Sequence, residues 1–190
     1  MTRVQVTLYG GVDEIGGNKV LLEHEGHRIF LDFGMSFGKY GAYFAEFLKP
    51  RGKAGINDLL RVGALPKLDG VYRQDYCRLD GVEPLVNKHG FADLWCAPVQ
   101  SYGEYLQQHG QPFVDAVILS HAHMDHFGHF NYLDPRIPVY GSPVTLAALA
   151  AIDRLGKSGI EGEIVTGKTL RVSSSVRSKV RSSLTSLIPT

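Results

Sequence analysis

The sequence predicts an α+β domain in which a short-stranded sheet and several helices pack around one core. Near the N-terminus, apolar and polar residues alternate in three short runs separated by Gly-containing turns, at residues 4–9, 19–24 and 28–32. Such runs are typical of an antiparallel meander. A continuous apolar run at 117–120 predicts a buried strand, and a strand at 138–140 leads into an Ala- and Leu-rich helix at 143–155. That helix has Pro in its first turn and Gly just after its end.

Length and composition place the chain among globular proteins. Its 190 residues suit one domain, 44% of them are hydrophobic and 21% are charged, and the net charge of +1 favours no particular partner. Two cysteines, Cys77 and Cys96, imply no disulfide framework and are expected to be reduced thiols. No apolar run approaches the ~20 residues of a membrane span, and no apolar leader precedes the first strand. We therefore expect a cytoplasmic protein without membrane contact.

A long connection separates the meander from the later elements. Residues 35–111 are rich in Gly, Pro and aromatic residues, and we expect short helices within them at 42–48, 56–62 and 101–109. The aromatic content is too high for disorder, so the segment is interpreted as a folded insertion, or flap, beside the metal edge of the sheet. Its aromatics and interspersed cations would either stack on bases and contact phosphates or pack a small core with solvated charges.

Ligand-type side chains are concentrated in one stretch directly after the predicted strand at 117–120. Within six residues the chain carries His121, His123, Asp125 and His126. Neutral imidazole nitrogen and carboxylate oxygen are natural ligands of zinc. Because His121 and His123 are two residues apart, extended backbone points them the same way, whereas Asp125 and His126 follow a turn and can face a second point. The spacing predicts two neighbouring metal sites; the alternative is a polar surface loop that is rich in histidine.

The pattern His-x-His-x-Asp-His resembles the metal-binding signature of the metallo-β-lactamase superfamily. The resemblance implies an αββα sandwich with one or two metal ions at one edge. It implies that His121 and His123 bind the first zinc, and that Asp125 and His126 bind the second. Asp125 would also orient the nucleophile, which makes it the candidate catalytic residue. Asp32, after the third predicted strand, matches the family's Asp that supports the metal loop from behind, with a simple turn former as the alternative.

Two further blocks narrow the resemblance. Residues 14–19 read Glu-Ile-Gly-Gly-Asn-Lys and residues 31–34 read Leu-Asp-Phe-Gly; with the motif, they are similar to the ribonuclease J and β-CASP branch, whose members cut nucleic acids. The match extends over about residues 4–155. Where ribonuclease J usually has Gly-Gly after the motif, this chain has Gly128 and His129. His129 is interpreted either as a group that binds water or substrate phosphate or as a solvated side chain.

Ligands that the family supplies from later strands have no counterpart in this sequence. No histidine follows His129, and the later aspartates, Asp134 and Asp153, lack the context of the bridging ligand. We therefore expect residues 1–172 to form an incomplete metallo-β-lactamase-like domain, consisting of the first half of the sandwich and the insertion. The Ser- and Arg-rich residues 173–190 are expected to be disordered. They would be a natural basic tail or the product of a truncation or a changed reading frame.

The resemblance implies a zinc-dependent metallohydrolase that, in the complete relative, holds two zinc ions and cleaves a phosphodiester of RNA or single-stranded nucleic acid. The alternatives are an inactive, truncated metal-binding fragment and a small-molecule hydrolase acting on a thioester or lactone. Because the motif supplies only two ligands to each ion, we expect little hydrolase activity from this chain. His89 or His109 of the insertion, or a homo-oligomer, would have to complete a site.

Overall fold

The computed structural model describes residues 3–44, 48–78, 86, 92–155 and 184–186. Its sheet has six strands in sequential order: β1 Gln5–Gly10, β2 Lys19–His24, β3 His27–Leu31, β4 Ala116–Ile118, β5 Val139–Gly141 and β6 Leu184–Ser186. The first three strands form the predicted antiparallel meander, and β3 to β6 pair in parallel. The predicted α+β class is therefore confirmed, with a mixed sheet.

The helices of the described residues are short except for the last. They are α1 Phe37–Tyr43, α2 Asn57–Arg61, α3 Gln74–Cys77, α4 Ala92–Trp95, α5 Tyr102–His109, α6 Met124–Phe127 and α7 Pro143–Leu155, with single 3-10 turns at Gly52–Ala54 and Phe130–Tyr132. The helices predicted at 56–62, 101–109 and 143–155 are present. The helix predicted at 42–48 instead lies at Phe37–Tyr43 as α1. Ser36 accepts a hydrogen bond from the Lys39 amide and so caps the N-terminus of this helix.

One face of the sheet is buried under the helices. Leu21, Phe30, Val117 and Val139 are aligned across four neighbouring strands and are at most 1% exposed. They share one hydrophobic cluster with residues from the helical layer, such as Phe127. Burial of each large apolar side chain contributes about 1.5–3 kcal/mol, so this face supplies much of the stability of the sheet.

The opposite face of the sheet is open at β1. Val4, Val6 and Leu8 lie on this face and remain 58%, 56% and 56% exposed. Val6 pairs with Leu22, and Leu8 pairs with Val20, both on partly exposed positions of β2. The described residues therefore form a sheet with helices on one face, which is half of an αββα arrangement.

The described part of segment 35–111 packs into the core of the sheet. Ile56, Leu59 and Tyr72 are fully buried in the same cluster as Phe30. The ring of Tyr72 contacts that of Phe33 at a centroid distance of 6.3 Å, directly after β3. Tyr72, Tyr76 and Tyr102 of this segment thus contribute to the main core.

Strand β6 lies within residues 173–190, which the sequence predicts to be disordered, and it pairs with β5 in parallel. This pairing gives hydrogen-bond partners to backbone groups at the edge of β5. Residues 163–172, whose sequence predicts a hairpin around Gly167, lie outside the described residues. Within the described part of the chain, no helix is long and apolar enough to cross a membrane.

Candidate metal centre

The sheet topology brings Asp32 and the histidine motif to one place. Strands β3 and β4 are parallel neighbours, and Leu31 is aligned with Ile118 at their C-terminal ends. The residues that follow each strand therefore emerge at the same edge of the sheet. His123 is extended (φ −110°, ψ 147°) and directly precedes α6, whose single turn carries Asp125 and His126.

The four predicted ligand residues converge at this edge. His121 Nε2 lies 3.1 Å from His123 Nδ1, and His126 Nε2 lies 3.3 Å from Asp125 Oδ2. The rings of His121 and His126 are 4.0 Å apart between centroids, so the two pairs adjoin each other. The structure thus groups the side chains as the spacing predicted, although their role as metal ligands stays a prediction.

Both pairs have a separation that suits two ligands of one zinc ion. Two atoms bound to a tetrahedral zinc at about 2.0–2.1 Å lie about 3.4 Å apart. Among the described residues, however, no group of three or more His, Cys, Asp or Glu side chains is arranged to hold a metal ion. The fit is therefore that of two neighbouring half-sites, each with two ligands.

Neither the proposed substitute ligand His109 nor the later aspartate Asp134 completes a half-site in the described residues. His109 stacks on the ring of Tyr105 at 4.1 Å, and Asp134 makes hydrogen bonds of 2.8 and 3.0 Å with the guanidinium of Arg136. His89 and the side chain of Asp153 lie outside the described residues. Any further ligand to these half-sites has to come from outside the described residues.

Asp32 fixes the orientation of His126. Its Oδ2 lies 2.7 Å from His126 Nδ1, and Asp32 itself is 7% exposed and has left-handed backbone with φ 59°. A carboxylate at this distance favours the tautomer with hydrogen on Nδ1, which leaves the Nε2 lone pair facing Asp125. The contact expected of Asp32 is thus present, and it reaches His126.

Two contact residues were missed by the sequence analysis. Ser120 donates its amide to Asp32 Oδ1 at 2.8 Å, and its hydroxyl lies 2.9 Å from Asp32 Oδ2 and 3.1 Å from His121 Nδ1. Asn18 donates its amide to the Asp125 carbonyl at 3.2 Å, and its Nδ2 lies 3.4 Å from His126 Nε2. Their sequence signals were only positional: Ser120 directly precedes the motif, and Asn18 lies in the block at 14–19 that carries part of the family resemblance.

Glycines allow the supporting backbone to touch the motif directly. A Cβ on Gly34 would lie 1.6 Å from the Asp125 carbonyl oxygen, and one on Gly16 would lie 2.7 Å from the Asp125 Cβ. The backbone on each side of Gly34 is hydrogen-bonded to the motif. The Phe33 amide donates to the His126 carbonyl at 2.8 Å, and the Met35 amide donates to the Met124 carbonyl at 3.0 Å. Any side chain at Gly34 would push the motif away from β3.

His129 is neither solvated nor available to a substrate phosphate, which overturns both interpretations from the sequence. The side chain is fully buried, with its ring near those of Tyr40 and Tyr132 at 6.0 and 5.6 Å. Within the described part of the chain, neither ring nitrogen has a hydrogen-bond partner. Burial lowers the pKa of His129 well below its ordinary value, and the nearby Lys19 adds to this shift. His129 is therefore a neutral core residue.

A cavity of about 250 Å³ lies beside the motif on the side of the helical layer. Its lining combines thioether, phenol, amide and ammonium groups: Met35, Tyr40, Lys49, Met124, Gly128, Asn131 and Tyr132. Met124 and Gly128 flank Asp125 and His126 in sequence. A small organic group in this cavity would therefore adjoin the candidate metal centre.

Comparisons with known proteins agree with this fold. The family model described as the metallo-beta-lactamase superfamily matches residues 97–163, which include the whole motif. Ribonuclease J of Pyrococcus abyssi (strain GE5 / Orsay) is 27% identical over 164 residues, covering 84% of this chain and 26% of that protein. Ribonuclease J of Helicobacter pylori (strain ATCC 700392 / 26695) is 25% identical over 150 residues, covering 78% of this chain and 14% of that protein.

A solved structure also matches. The crystal structure of a protein of unknown function from Enterococcus faecalis V583 has a TM-score of 0.53 and 24% identity, covering 91% of this chain and 34% of that one. At this identity the likeness concerns the fold alone. The fold is thus metallo-β-lactamase-like, and the predicted resemblance to that superfamily is confirmed. Within the superfamily the chain resembles ribonuclease J at low identity, and it spans 26% and 14% of the length of the two relatives described above.

Proposed function

We propose that this chain forms the metal-binding part of a zinc-dependent hydrolase that cleaves RNA phosphodiesters. The observation that carries the proposal is the convergence of His121, His123, Asp125 and His126 at the end of a buried strand, with Asp32 bonded to His126. The resemblance to proteins named ribonuclease J supports the choice of RNA. The two cysteines are free thiols, the usual state in a reducing compartment, which supports the cytoplasm.

In this proposal, the two pairs of side chains have separate tasks. His121 and His123 would hold one zinc ion, and Asp125 and His126 would hold the other. Zinc bound there would supply Lewis acidity, lowering the pKa of a coordinated water towards about 7. Asp125 would also accept a hydrogen bond from that water and so orient it. Asp32 keeps the hydrogen of His126 on Nδ1, which presents the Nε2 lone pair to the ion.

The number of ligands limits what this chain does alone. Two protein ligands per ion are fewer than the three that a catalytic zinc normally holds. We propose that the 190-residue chain binds zinc weakly and has little or no turnover, and that ligands from outside the described residues complete the centre. This version of the proposal, a metal-binding fragment without activity, is favoured by the lack of a three-ligand group among the described residues.

Contact with RNA is proposed at α1. Phe37 and Tyr43 of this helix are 44% and 54% exposed, and exposed aromatic rings offer stacking surfaces for bases. Helix α1 begins two residues after Met35, whose amide donates to the Met124 carbonyl of the motif at 3.0 Å. The helix that carries the exposed rings therefore begins next to a residue that is hydrogen-bonded to the motif. Tyr72, by contrast, is fully buried and unavailable for stacking.

Self-association is proposed through the open face of the sheet. The apolar side chains of Val6 and Leu8 on β1, and of Val4 just before it, are more than half exposed, and surfaces of this kind favour association. Two copies packed face to face would bury these side chains between two sheets with helices outside, since sheets pack about 10 Å apart. We propose a homo-oligomer of this type.

The test of the proposed function measures zinc binding and hydrolysis on the purified 190-residue chain. Zinc affinity is measured by competition with a chromophoric chelator, and turnover is measured on single-stranded RNA, a generic phosphodiester and a thioester. We expect zinc binding that His123→Ala weakens at least tenfold, with little or no turnover. His24→Ala, which replaces an exposed histidine at the end of β2, is the matched control and should bind zinc like the unaltered chain.

Three outcomes would change the proposal. Equal zinc affinity in the unaltered chain and in His123→Ala would refute the assignment of the centre. Zinc-dependent cleavage of RNA that His123→Ala abolishes would show that the chain completes its own site. Turnover of the thioester without turnover of RNA would favour a small-molecule hydrolase.

A further inference from the structure

Lys19 is an amine in the core of the protein, next to the candidate metal centre. It is the first residue of β2 and is 1% exposed. Its Nζ donates hydrogen bonds to the carbonyl oxygens of Gly34, at 2.5 Å, and Gly17, at 3.3 Å. The ring of Phe33 lies 5.4 Å from the same atom. Burial of an amine is costly unless its hydrogens find acceptors, and here the acceptors are two backbone carbonyls.

The two carbonyls belong to two different segments of backbone that both contact the motif. The first segment follows β1 and includes Asn18, whose amide donates to the Asp125 carbonyl at 3.2 Å. The second follows β3 and includes Phe33, whose amide donates to the His126 carbonyl at 2.8 Å. The segments are bonded to each other as well, since the Gly34 amide donates to the Asn18 carbonyl at 2.9 Å. Lys19 therefore links the two segments that hold Asp125 and His126.

Movement of either segment would be transmitted to the motif. At Gly34 and Gly16 no side chain separates the supporting backbone from Asp125, and a Cβ at Gly34 would overlap the Asp125 carbonyl oxygen. The hydrogen bonds of Asn18 and Phe33 attach to the backbone of the two ligand residues themselves. A displacement of a few tenths of an ångström at Gly17 or Gly34 would therefore change the distance between the Asp125 carboxylate and His126 Nε2.

We propose that Lys19 is a positioning residue of the metal centre, which sets the geometry of the Asp125 and His126 pair by tying the Gly17 and Gly34 carbonyls together. This inference rests on the proposed function, because it assigns Lys19 a part in metal binding. An apolar residue of the same length would fill the space beside Phe33 at lower desolvation cost but would leave both carbonyls without this donor. The choice of a lysine at a buried position is explained by that double hydrogen bond.

The test compares Lys19→Met and Lys19→Gln with the unaltered chain. Methionine keeps the length and removes the donor, whereas glutamine keeps one donor group. Co²⁺ is used as the probe because its visible absorption spectrum reports the geometry of its ligands. We expect Lys19→Met to weaken Co²⁺ and Zn²⁺ binding about tenfold and to alter the Co²⁺ spectrum, with a smaller effect for Lys19→Gln. Lys67→Met, at an exposed lysine, is the control and should match the unaltered chain.

A second measurement without metal separates this inference from the proposed function. Amide hydrogen exchange of Asn18 and Phe33 reports the hydrogen bonds to Asp125 and His126, and exchange of Leu22 reports the hairpin of β2 and β3. In Lys19→Met we expect faster exchange at Asn18 and Phe33 and unchanged exchange at Leu22. The inference is overturned if these amides exchange at the same rate in both proteins, or if Lys19→Met binds Co²⁺ with the affinity and spectrum of the unaltered chain.

The outcomes are distinguishable for each claim. If the unaltered chain binds neither Co²⁺ nor Zn²⁺, the proposed metal centre fails, and the exchange data alone decide whether Lys19 holds the motif. If Lys19→Met does not fold, Lys19→Gln takes its place in both measurements. Equal loss of exchange protection at Leu22, Asn18 and Phe33 would show a general structural role and would overturn positioning.

Discussion

Asp32 connects β3 to the motif through both of its oxygens. Oδ1 accepts the Ser120 amide at 2.8 Å, and Oδ2 lies 2.7 Å from His126 Nδ1. Its φ of 59° is uncommon for a residue with a side chain, and the contacts on both oxygens hold it there. The residue therefore joins the backbone after β4 to the imidazole that faces Asp125.

Replacement of Asp32 by asparagine tests this connection. The amide can still accept from Ser120, but it carries no charge to favour hydrogen on His126 Nδ1. We expect zinc affinity to fall about 10- to 100-fold, measured by chelator competition. The matched control is Asp115→Asn, because Asp115 also pairs with a histidine, His27 at 3.2 Å, at the start of β3. Unchanged affinity in Asp32→Asn would contradict the role given to Asp32.

Lys19 also predicts how stability depends on pH. Burial, with a smaller effect of nearby Lys39, lowers the pKa of Lys19 to about 7. In the unfolded chain this amine titrates near its ordinary value, about 10.4. Between these values the unfolded state binds more protons, so the free energy of unfolding rises with pH, by at most about 1.4 kcal/mol per unit. This gain in the free energy of unfolding is complete above about pH 10.4, the pKa of the amine in the unfolded chain, and it is lost as the pH falls to about 7.

We therefore expect the urea midpoint of the metal-free chain to rise between about pH 7 and about pH 8.5. Burial raises the pKa of Cys77 to about 12. This thiol therefore lowers stability once the pH exceeds its value in the unfolded chain, about 8.5, which sets the upper limit of the range. Lys19→Met should remove the rise, because methionine has no proton to titrate. Lys67→Met should keep the rise; its loss in this control would point to other groups.

At the scale of elements, β1 differs from the other strands of the meander. Val6 and Leu8 of β1, and Val4 just before it, remain more than half exposed, whereas Leu21 of β2 and Phe30 of β3 are buried on the other face. Strand β1 also lies at the edge of the sheet, where unpaired backbone groups can accept another strand. Both properties favour association at this end of the sheet.

Leu8→Lys tests the proposed self-association. The side chain is 56% exposed, so a lysine fits without loss of core packing, but its charge opposes burial between two sheets. We expect the molar mass from light scattering to rise with concentration in the unaltered chain and to stay monomeric in Leu8→Lys. Val144→Lys, at an 80% exposed position on α7, is the control and should associate like the unaltered chain. Equal masses for Leu8→Lys and the unaltered chain would rule out this face.

At the scale of the whole molecule, one core serves both the sheet and the long insertion. Ile56 and Leu59 of the insertion share a hydrophobic cluster with Phe30 and Val117 of the sheet. The metal motif lies at the edge of this core, supported by backbone from two other parts of the chain, around Asn18 and Phe33. The backbone therefore holds the motif in place, while the described residues supply only two candidate ligands to each half-site.

The sequence by itself determined the α+β class, the meander, the strand before the motif and the four candidate ligands. These features depend on local spacing: alternation defines a strand, and the His-x-His-x-Asp-His pattern places its side chains within six residues. The helix at 101–109 was equally local, because Ser101 and Glu104 form a capping box across three residues.

Only the tertiary structure decided which residues support the motif and which are buried. Ser120 meets Asp32 across 88 positions, and Asn18 meets His126 across 108, so no local pattern predicts either contact. The burial of Lys19 and His129 also ran against their residue types, which are usually solvated. Their environment depends on how the segments after β1 and β3 pack against α6, and that packing is set by long-range contacts.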